Sequence, residues 1–293
     1  MRINTNVSSL TAQEAAQNTT KTLTNSLEKL STGLRINKAS DDASGLAIAD
    51  KLRTQATSIK QGIDNGNSAV TLLQIADKSM AEQSNILDTV KAKLIQANTA
   101  TTSEDGRRAI AGDIKKLLTQ LDNIAEQTNY NSTSLLQAGG TGSVASQQGT
   151  MTALKFQIGE TDRDMIEVKN IQSNIKGLGL SGLNGVISGV TSSSMGSFTA
   201  VKAGSLQDTI NKAITTLNTY RAEIGSTQNQ VESAVRNLMT QATNVKAAES
   251  IIRDVDYAQE SANFNKQNII SQAGSYAISQ ANAVQQNVLR LLQ

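Results

Sequence analysis

From Leu206 to Val255 a seam position recurs every three or four residues without a slip: Leu206, Ile210, Ala213, Leu217, Tyr220, Ile224, Thr227, Val231, Ala234, Leu238, Gln241, Val245, Ala248, Ile252 and Val255. Only Thr227 and Gln241 on it are polar. The spacing has the 3.5-residue period of a coiled coil, and seven heptads rising 1.5 Å per residue predict a helix of about 70 Å. A helix striped along that length cannot bury its seam alone, so the chain must supply partner helices. Nothing in the composition interrupts them: the chain contains no Pro, whereas average usage would place about 15 in a chain this long.

The N-terminal half carries the partners. Leu73, Ala76, Met80, Gln83, Leu87, Val90, Leu94 and Ala97 repeat at three and four, and Ile110, Ile114, Leu117, Leu121 and Ile124 repeat after a break at Thr101 to Gly106. Ser103 followed by Glu104 and Asp105 reads as a helix start, with acids at the positive end of the helix dipole. The expected fold is mainly α: a long coiled-coil helical rod built from the N- and C-terminal arms. Its packing residues are Leu73, Met80, Leu87, Val90, Leu94, Leu217, Val231, Leu238, Val245 and Ile252.

The middle differs in composition. Twelve of the 20 glycines fall between Gly139 and Gly204. Leu154 to Ile158 alternates apolar and polar, Gly159 to Asp164 has turn chemistry, and Met165 to Val168 follows, which predicts a β-hairpin over about 152–168. The Gly/Ser-rich stretch of about 177–204 reads as an irregular loop or a small exposed β element.

Residues from Gln267 to Gln293 hold a single charge, Arg290, yet Ile270, Ala273, Ala277, Ala281, Val284, Val288 and Leu291 fall on one helical side. The opposite face is Gln, Asn and Ser, where an ordinary surface helix carries Lys and Glu and a membrane-surface helix carries Lys and Arg. At the other end Ile3, Val7, Leu10, Leu23, Leu27, Leu30 and Leu34 form a stripe, and only Arg2, Glu14 and Lys21 are charged before residue 28. Two weakly charged amphipathic ends suit each other as a coiled pair whose amide faces meet further copies. Leu23, Leu27, Leu30, Leu34, Ile270, Val284, Val288 and Leu291 are the candidate inner-core assembly residues.

Catalysis has no visible residues. The chain has no His and no Cys, which removes the usual neutral-pH base, thiolate nucleophiles and the commonest zinc ligands. Gly177-Leu178-Gly179-Leu180-Ser181-Gly182 matches a GxGxxG string, but no helix pattern opens at Gly182 and Asp208 lacks the ribose-binding spacing. Glu160, Asp162, Asp164 and Glu167 lack the Gly and Glu of a calcium loop and read as a solvated turn. No cofactor or metal is expected. Net charge of +2, with only Arg107-Arg108 and Lys115-Lys116 as basic pairs, gives no field for nucleic acid or anionic membrane. No apolar run reaches the roughly 18 residues of a membrane span, and the N-terminus has no hydrophobic signal core.

The stretch Leu30-Ser31-Thr32-Gly33-Leu34-Arg35-Ile36-Asn37-Lys38-Ala39-Ser40-Asp41-Asp42-Ala43-Ser44-Gly45-Leu46-Ala47-Ile48-Ala49 closely resembles the N-terminal signature of bacterial flagellins. At the other end, Ile252 to Glu260, Gln272-Ala273-Gly274, Gln280-Ala281-Asn282 and Gln286-Asn287-Val288-Leu289 look like that family's C-terminal pattern. The resemblance covers about 1–175 and 200–293. It implies an inner coiled-coil core domain (1–44 with 256–293) and a helical rod domain (45–255) containing the hairpin, in a short form without large outer domains. It implies a subunit that self-polymerises into the helical tube of the flagellar filament and transmits motor torque for swimming. It also implies unfolded export by the flagellar type III apparatus to an extracellular filament, which accounts for the missing signal core. Its partners would be further flagellin subunits, an export chaperone, the filament cap and hook-junction proteins. The alternative is a hook-filament junction protein or another coiled-coil surface stalk.

The segment that animal Toll-like receptors sense in many flagellins aligns with Leu87 to Gln96. Thr89 and Ala92 stand where the family usually has Arg and Glu, so weak receptor recognition is expected. Many relatives carry a proline before the last Gln-Asn; Val284-Gln285-Gln286-Asn287 has none. Ser188, Thr191, Ser192, Ser193, Ser194, Ser197 and Thr199 resemble exposed positions that some relatives O-glycosylate.

Overall fold

A computed structural model of the chain describes residues 6–137, 153–169, 171–190 and 198–291, with side chains at 285 and 287–291 left aside. Six helices and two small antiparallel ladders follow in the order α1 (Val7–Thr32), α2 (Ala43–Asn98), α3 (Glu104–Gln127), β1 (Asn129–Tyr130), β2 (Thr133–Ser134), β3 (Leu154–Gln157), β4 (Met165–Val168), α4 (Ser181–Ser188), α5 (Ala200–Arg253) and α6 (Tyr257–Leu291). The fold is therefore mainly α. Its contacts divide the chain into two compact units, Met1–Thr57 with Ala242–Gln293, and Ser58–Gln241.

In the second unit the heptad seams are core. Leu73, Met80, Leu87, Val90 and Leu94 of α2 and Leu217, Val231 and Leu238 of α5 are buried. α3 lies antiparallel to the end of α2, since Lys93 pairs with Asp113 (2.7 Å) while Gln83 reaches the Leu121 carbonyl. Ser103 caps α3 by accepting the Gly106 N–H at 3.1 Å. Further back along α2 the β3–β4 hairpin takes the third position: Asn65 Nδ2 donates to the Gln157 carbonyl at 3.0 Å, and the Ile158 carbonyl sits directly over Gly62. Only glycine leaves room there, and Gly66 one turn on receives the Val235 side chain in the same way. Arg221 of α5 pairs with Asp77 of α2 at 2.9 Å.

The hairpin pairs Leu154 with Val168 through Gln157 with Met165, inside the expected 152–168, and residue 152 itself lies outside the described residues. The 177–204 stretch departs from expectation. It contains the helix α4, and α5 already begins at Ala200. Leu180, Leu183 and Ile187 recur at three and four and are all buried; the glycines between them hid a helical period that tertiary packing stabilises.

The first unit holds the residues up to 57 and those from 242 onward. Within it a tie joins the α1–α2 loop to the end of α5. Leu34 and Asp254 form an antiparallel bridge. Arg35 N donates to the Arg253 carbonyl at 2.6 Å, and Val255 N to the Gly33 carbonyl at 3.0 Å. These contacts draw the first turns of α2 and the last turns of α5 into the same cluster. There the α5 seam loosens: Gln241 is exposed, and Val245, Ala248, Ile252 and Val255 are half-buried.

Candidate functional site

The candidate site is the pair of helices made by the chain's two ends, α1 and α6. α1 and α6 pack antiparallel. Asn6 Nδ2 donates to the Ala281 carbonyl (3.1 Å), Gly274 passes Ala16, and Gly33 meets the Tyr257 ring, so residue numbers fall on one helix as they rise on the other. Burial on α1 follows Ser9, Ala12, Ala16, Thr19, Leu23, Ser26 and Leu30, and on α6 Glu260, Phe264, Gln267, Ser271, Gly274, Ile278 and Ala281. Both sets run at three and four. The seam between the two helices is thus mostly small and polar, and small residues let helix axes approach closely.

Apart from Leu23, Leu30, Phe264 and Ile278 on the seam, large apolar side chains of the pair go outward. Ile269 is 67% exposed, Tyr276 74% and Val284 54%, with Ile270 at 41%, and on α1 Val7, Leu10 and Leu27 are exposed by more than half. Ile270, Ala277 and Val284 stand at seven-residue spacing in one column, and Ile269 and Tyr276 in another. Of the candidate inner-core residues, Leu23, Leu30 and Leu34 are half-buried within the subunit, while Leu27, Ile270 and Val284 face solvent. The side chains of Val288 and Leu291 lie outside the described residues. Hydrophobic patterning pointed to a stripe but missed the small-residue seam, because Ser, Ala and Thr carry no hydropathy signal.

At the near end of the pair the signature residues are explained by the loop between α1 and α2. Gly33 ends α1 in the left-handed region (φ 74) with the Tyr257 hydroxyl against it. Arg35 Nη2 donates to the Ile252 carbonyl at 2.6 Å, capping an orphan acceptor of the α5 terminus. Ile36 is buried against Gly45. Asp41 Oδ2 accepts the N–H groups of Asn37 and Lys38, both at 3.0 Å, and these bonds hold its carboxyl below the usual carboxylate range. Asp42 Oδ1 caps the start of α2 through the Gly45 N–H at 2.8 Å. Lys38 reaches Glu28 of α1 at 2.6 Å, a bond that raises the lysine's pKa.

The GxGxxG string lies in a turn entering α4, and Leu180, not a phosphate-facing glycine, precedes that helix with no side-chain cap. Among the described residues no group of His, Cys, Asp or Glu could hold a metal, and no helix is long and apolar enough to cross a membrane. Ser188 and Thr199 are exposed at the edges of α4 and α5; Thr191, Ser192, Ser193, Ser194 and Ser197 lie outside the described residues. In the Leu87 to Gln96 segment, Asp88, Thr89, Ala92, Ile95 and Gln96 are exposed and Leu87, Val90 and Leu94 are core.

Two family descriptions match the chain: the bacterial flagellin N-terminal helical region over residues 3–141, and the bacterial flagellin C-terminal helical region over residues 207–292. The chain is 34% identical to a flagellin of Bacillus subtilis (strain 168), with all of both chains covered. It is 32% identical to flagellin FlaB2 of Treponema pallidum (strain Nichols), again with both chains covered in full. In fold it resembles a putative flagellar hook-associated protein of Vibrio parahaemolyticus, with a TM-score of 0.61 at 13% identity over 73% of this chain and 99% of the other. Signature loop, paired termini, full-length relatives and both helical-region matches agree: the chain belongs to the bacterial flagellin family and is a structural subunit of the flagellar filament.

Proposed function

We propose that copies of this chain polymerise through the outward face of the α1–α6 pair, with Leu27, Ile270 and Val284, and by extension Val288 and Leu291, buried between subunits. The observation that carries this reading is the row of large aliphatic and aromatic side chains left exposed on the pair, Val7, Leu10, Leu27, Ile269, Ile270, Tyr276 and Val284, beside a seam that is mostly small and polar. A soluble monomer rarely exposes an apolar column of that length, and an interface is the ordinary reason for one. Residues 1–44 with 256–293 make up the inner coiled-coil core domain of this reading, and 45–255 its helical rod domain. Within each subunit Arg221–Asp77 joins α5 to α2 and Lys93–Asp113 joins α2 to α3.

In this reading the protein is exported to an extracellular filament and meets an export chaperone, a filament cap and hook-junction proteins on the way. Thr89 and Ala92 on the exposed face of α2 give weak recognition by flagellin-sensing Toll-like receptors, and a reporter response equal to that of a conventional flagellin would contradict it. Ser188 and Thr199, together with the five Ser and Thr positions between them, are offered as O-glycan carriers. Intact mass of native filaments reads that directly. The polymerisation test is seeded growth: heat-dissociated protein added to filament fragments extends them into tubes seen by electron microscopy, and a truncation lacking 267–293 stays monomeric. Growth of the truncation would overturn the role of the pair, and capping without extension would favour a hook-junction protein.

A further inference from the structure

The α2 seam has one polar member, Gln83, and it is fully buried. Its Nε2 donates to the Leu121 carbonyl of α3 at 3.1 Å and to the Ser173 carbonyl at 3.2 Å. Those acceptors lie 38 and 90 residues away in sequence. Gln83 Oε1 has no hydrogen-bond partner among the described residues, and neither does the equally buried hydroxyl of Ser173. A buried amide with an orphaned acceptor costs stability relative to an aliphatic side chain of the same size. Core stability alone therefore does not account for a glutamine at this position.

What the amide does is grip a strap, 171–190, that runs from beyond β4 through α4. Before α4 the strap has no helix or strand to fix its register. Ile171, Ile175 and Leu178 are buried along it, but aliphatic burial is non-directional and tolerates a slip along the groove. Besides turn bonds within the strap, its directional contacts among the described residues include Ser173 N donating to the Leu136 carbonyl at 2.9 Å, Ile175 N donating to Asp122 Oδ1 at 2.9 Å, and the Ser173 carbonyl accepting the Gln83 amide. We propose that Gln83 is a register latch: its amide selects which strap residue docks against α2 and α3, and the helical core gives up stability for that selection. A single polar side chain in an apolar seam setting register is a well-attested use of such residues between helices; here it acts on an irregular segment.

Hydrogen exchange of the full-length monomer, read peptide by peptide beside its thermal melt, tests the latch in Gln83→Leu and Gln83→Met. Both variants remove the orphaned Oε1 but leave the Ser173 carbonyl unpaired, so they should melt close to the wild-type temperature while amides of 171–180 exchange about three- to tenfold faster, the loss of one strap hydrogen bond. Peptides of α2 and α3 should not change. Ser173→Ala keeps the carbonyl and should leave strap exchange at wild type. Unchanged strap exchange in both Gln83 variants would overturn the proposal. So would a lower melting temperature, or loss of fold in both, with all peptides accelerating together, because that marks Gln83 as ordinary core support.

Discussion

The carbonyl oxygen of Ile158, at the end of β3, occupies the space that a side chain on Gly62 would fill. That approach lets the β3–β4 hairpin lie flat on α2 where α3 no longer covers it. Gly62→Ala gains helix propensity of about 1 kcal/mol but must displace a backbone carbonyl, and overpacking of that kind costs about 1–3 kcal/mol. A net loss of stability is expected, seen as a lower melting temperature. Gly112, on the exposed face of α3 with nothing near it, is the counter-case: Gly112→Ala should stabilise by about 0.5–1 kcal/mol.

The β1–β2 turn holds Asn131 (φ 48) and Ser132 (φ 65) in the left-handed region. Asn tolerates that conformation and Ser does so poorly, whereas two-residue hairpin turns of this hand favour Asn-Gly. Ser132→Gly should raise stability by about 1 kcal/mol in a denaturant titration, with an unchanged slope.

Burial holds the Asp122 carboxyl above the ordinary carboxylate range, the Ile175 N–H opposes that, and Glu126 adds to it. A raised folded pKa means the folded chain binds this proton more tightly than the unfolded chain. This site's contribution to stability therefore grows as pH falls from neutral through the raised pKa. Asp122→Asn keeps the acceptor for Ile175 without a charge, so it should be at least as stable as wild type at neutral pH and show a flatter profile on mild acidification. Asp122→Ala should lose about 1–3 kcal/mol, because it leaves a half-buried N–H unpaired. Asp41, Asp113 and Asp164 run the other way. Their pKa values are lowered, by backbone N–H bonds at Asp41 and by the Lys93 and Thr161 bonds at the others. What they contribute is present above the ordinary carboxylate range and is lost below it as pH falls through each lowered value.

Much of this fold is legible in the sequence, for identifiable reasons. The α2 and α5 seams are written in Leu, Ile, Val and Met at heptad spacing, and all members from Leu206 to Leu238 except Tyr220 and Ala234 are buried. The signature loop is legible as a family pattern, though its purpose, Arg35 capping the α5 end and Asp41 folding the turn, is set by contacts distant in sequence or by loop geometry. The α1–α6 seam is only partly legible: Leu23, Leu30 and Ala281 lie on it, but Ser9, Ala16, Thr19 and Gly274 meet through their smallness. Helix α4 is hidden by Gly182 and Gly185 within about two turns of apolar spacing. Gln83 is visible as a seam position, but its acceptors at Leu121 and Ser173 are set by tertiary packing alone.

At the signature loop, Gly33→Ala would force a Cβ into the left-handed region at about 1–2 kcal/mol and against the Tyr257 hydroxyl. Arg35→Ala removes the cap on Ile252 and should cost about 0.5–1.5 kcal/mol. Hydrogen exchange should show both losses at 250–257 and leave the amides of α3 unchanged.

Which face of the α1–α6 pair copies use is tested most directly by the critical concentration for seeded polymerisation of a Tyr276→Ser/Val284→Ser double variant. Both side chains are exposed in the subunit, so its helix content and melting temperature should match wild type. Burial of such side chains is worth about 1.5–3 kcal/mol each, so the critical concentration should rise at least about tenfold. A critical concentration equal to that of wild type would contradict the assignment of this face to subunit packing.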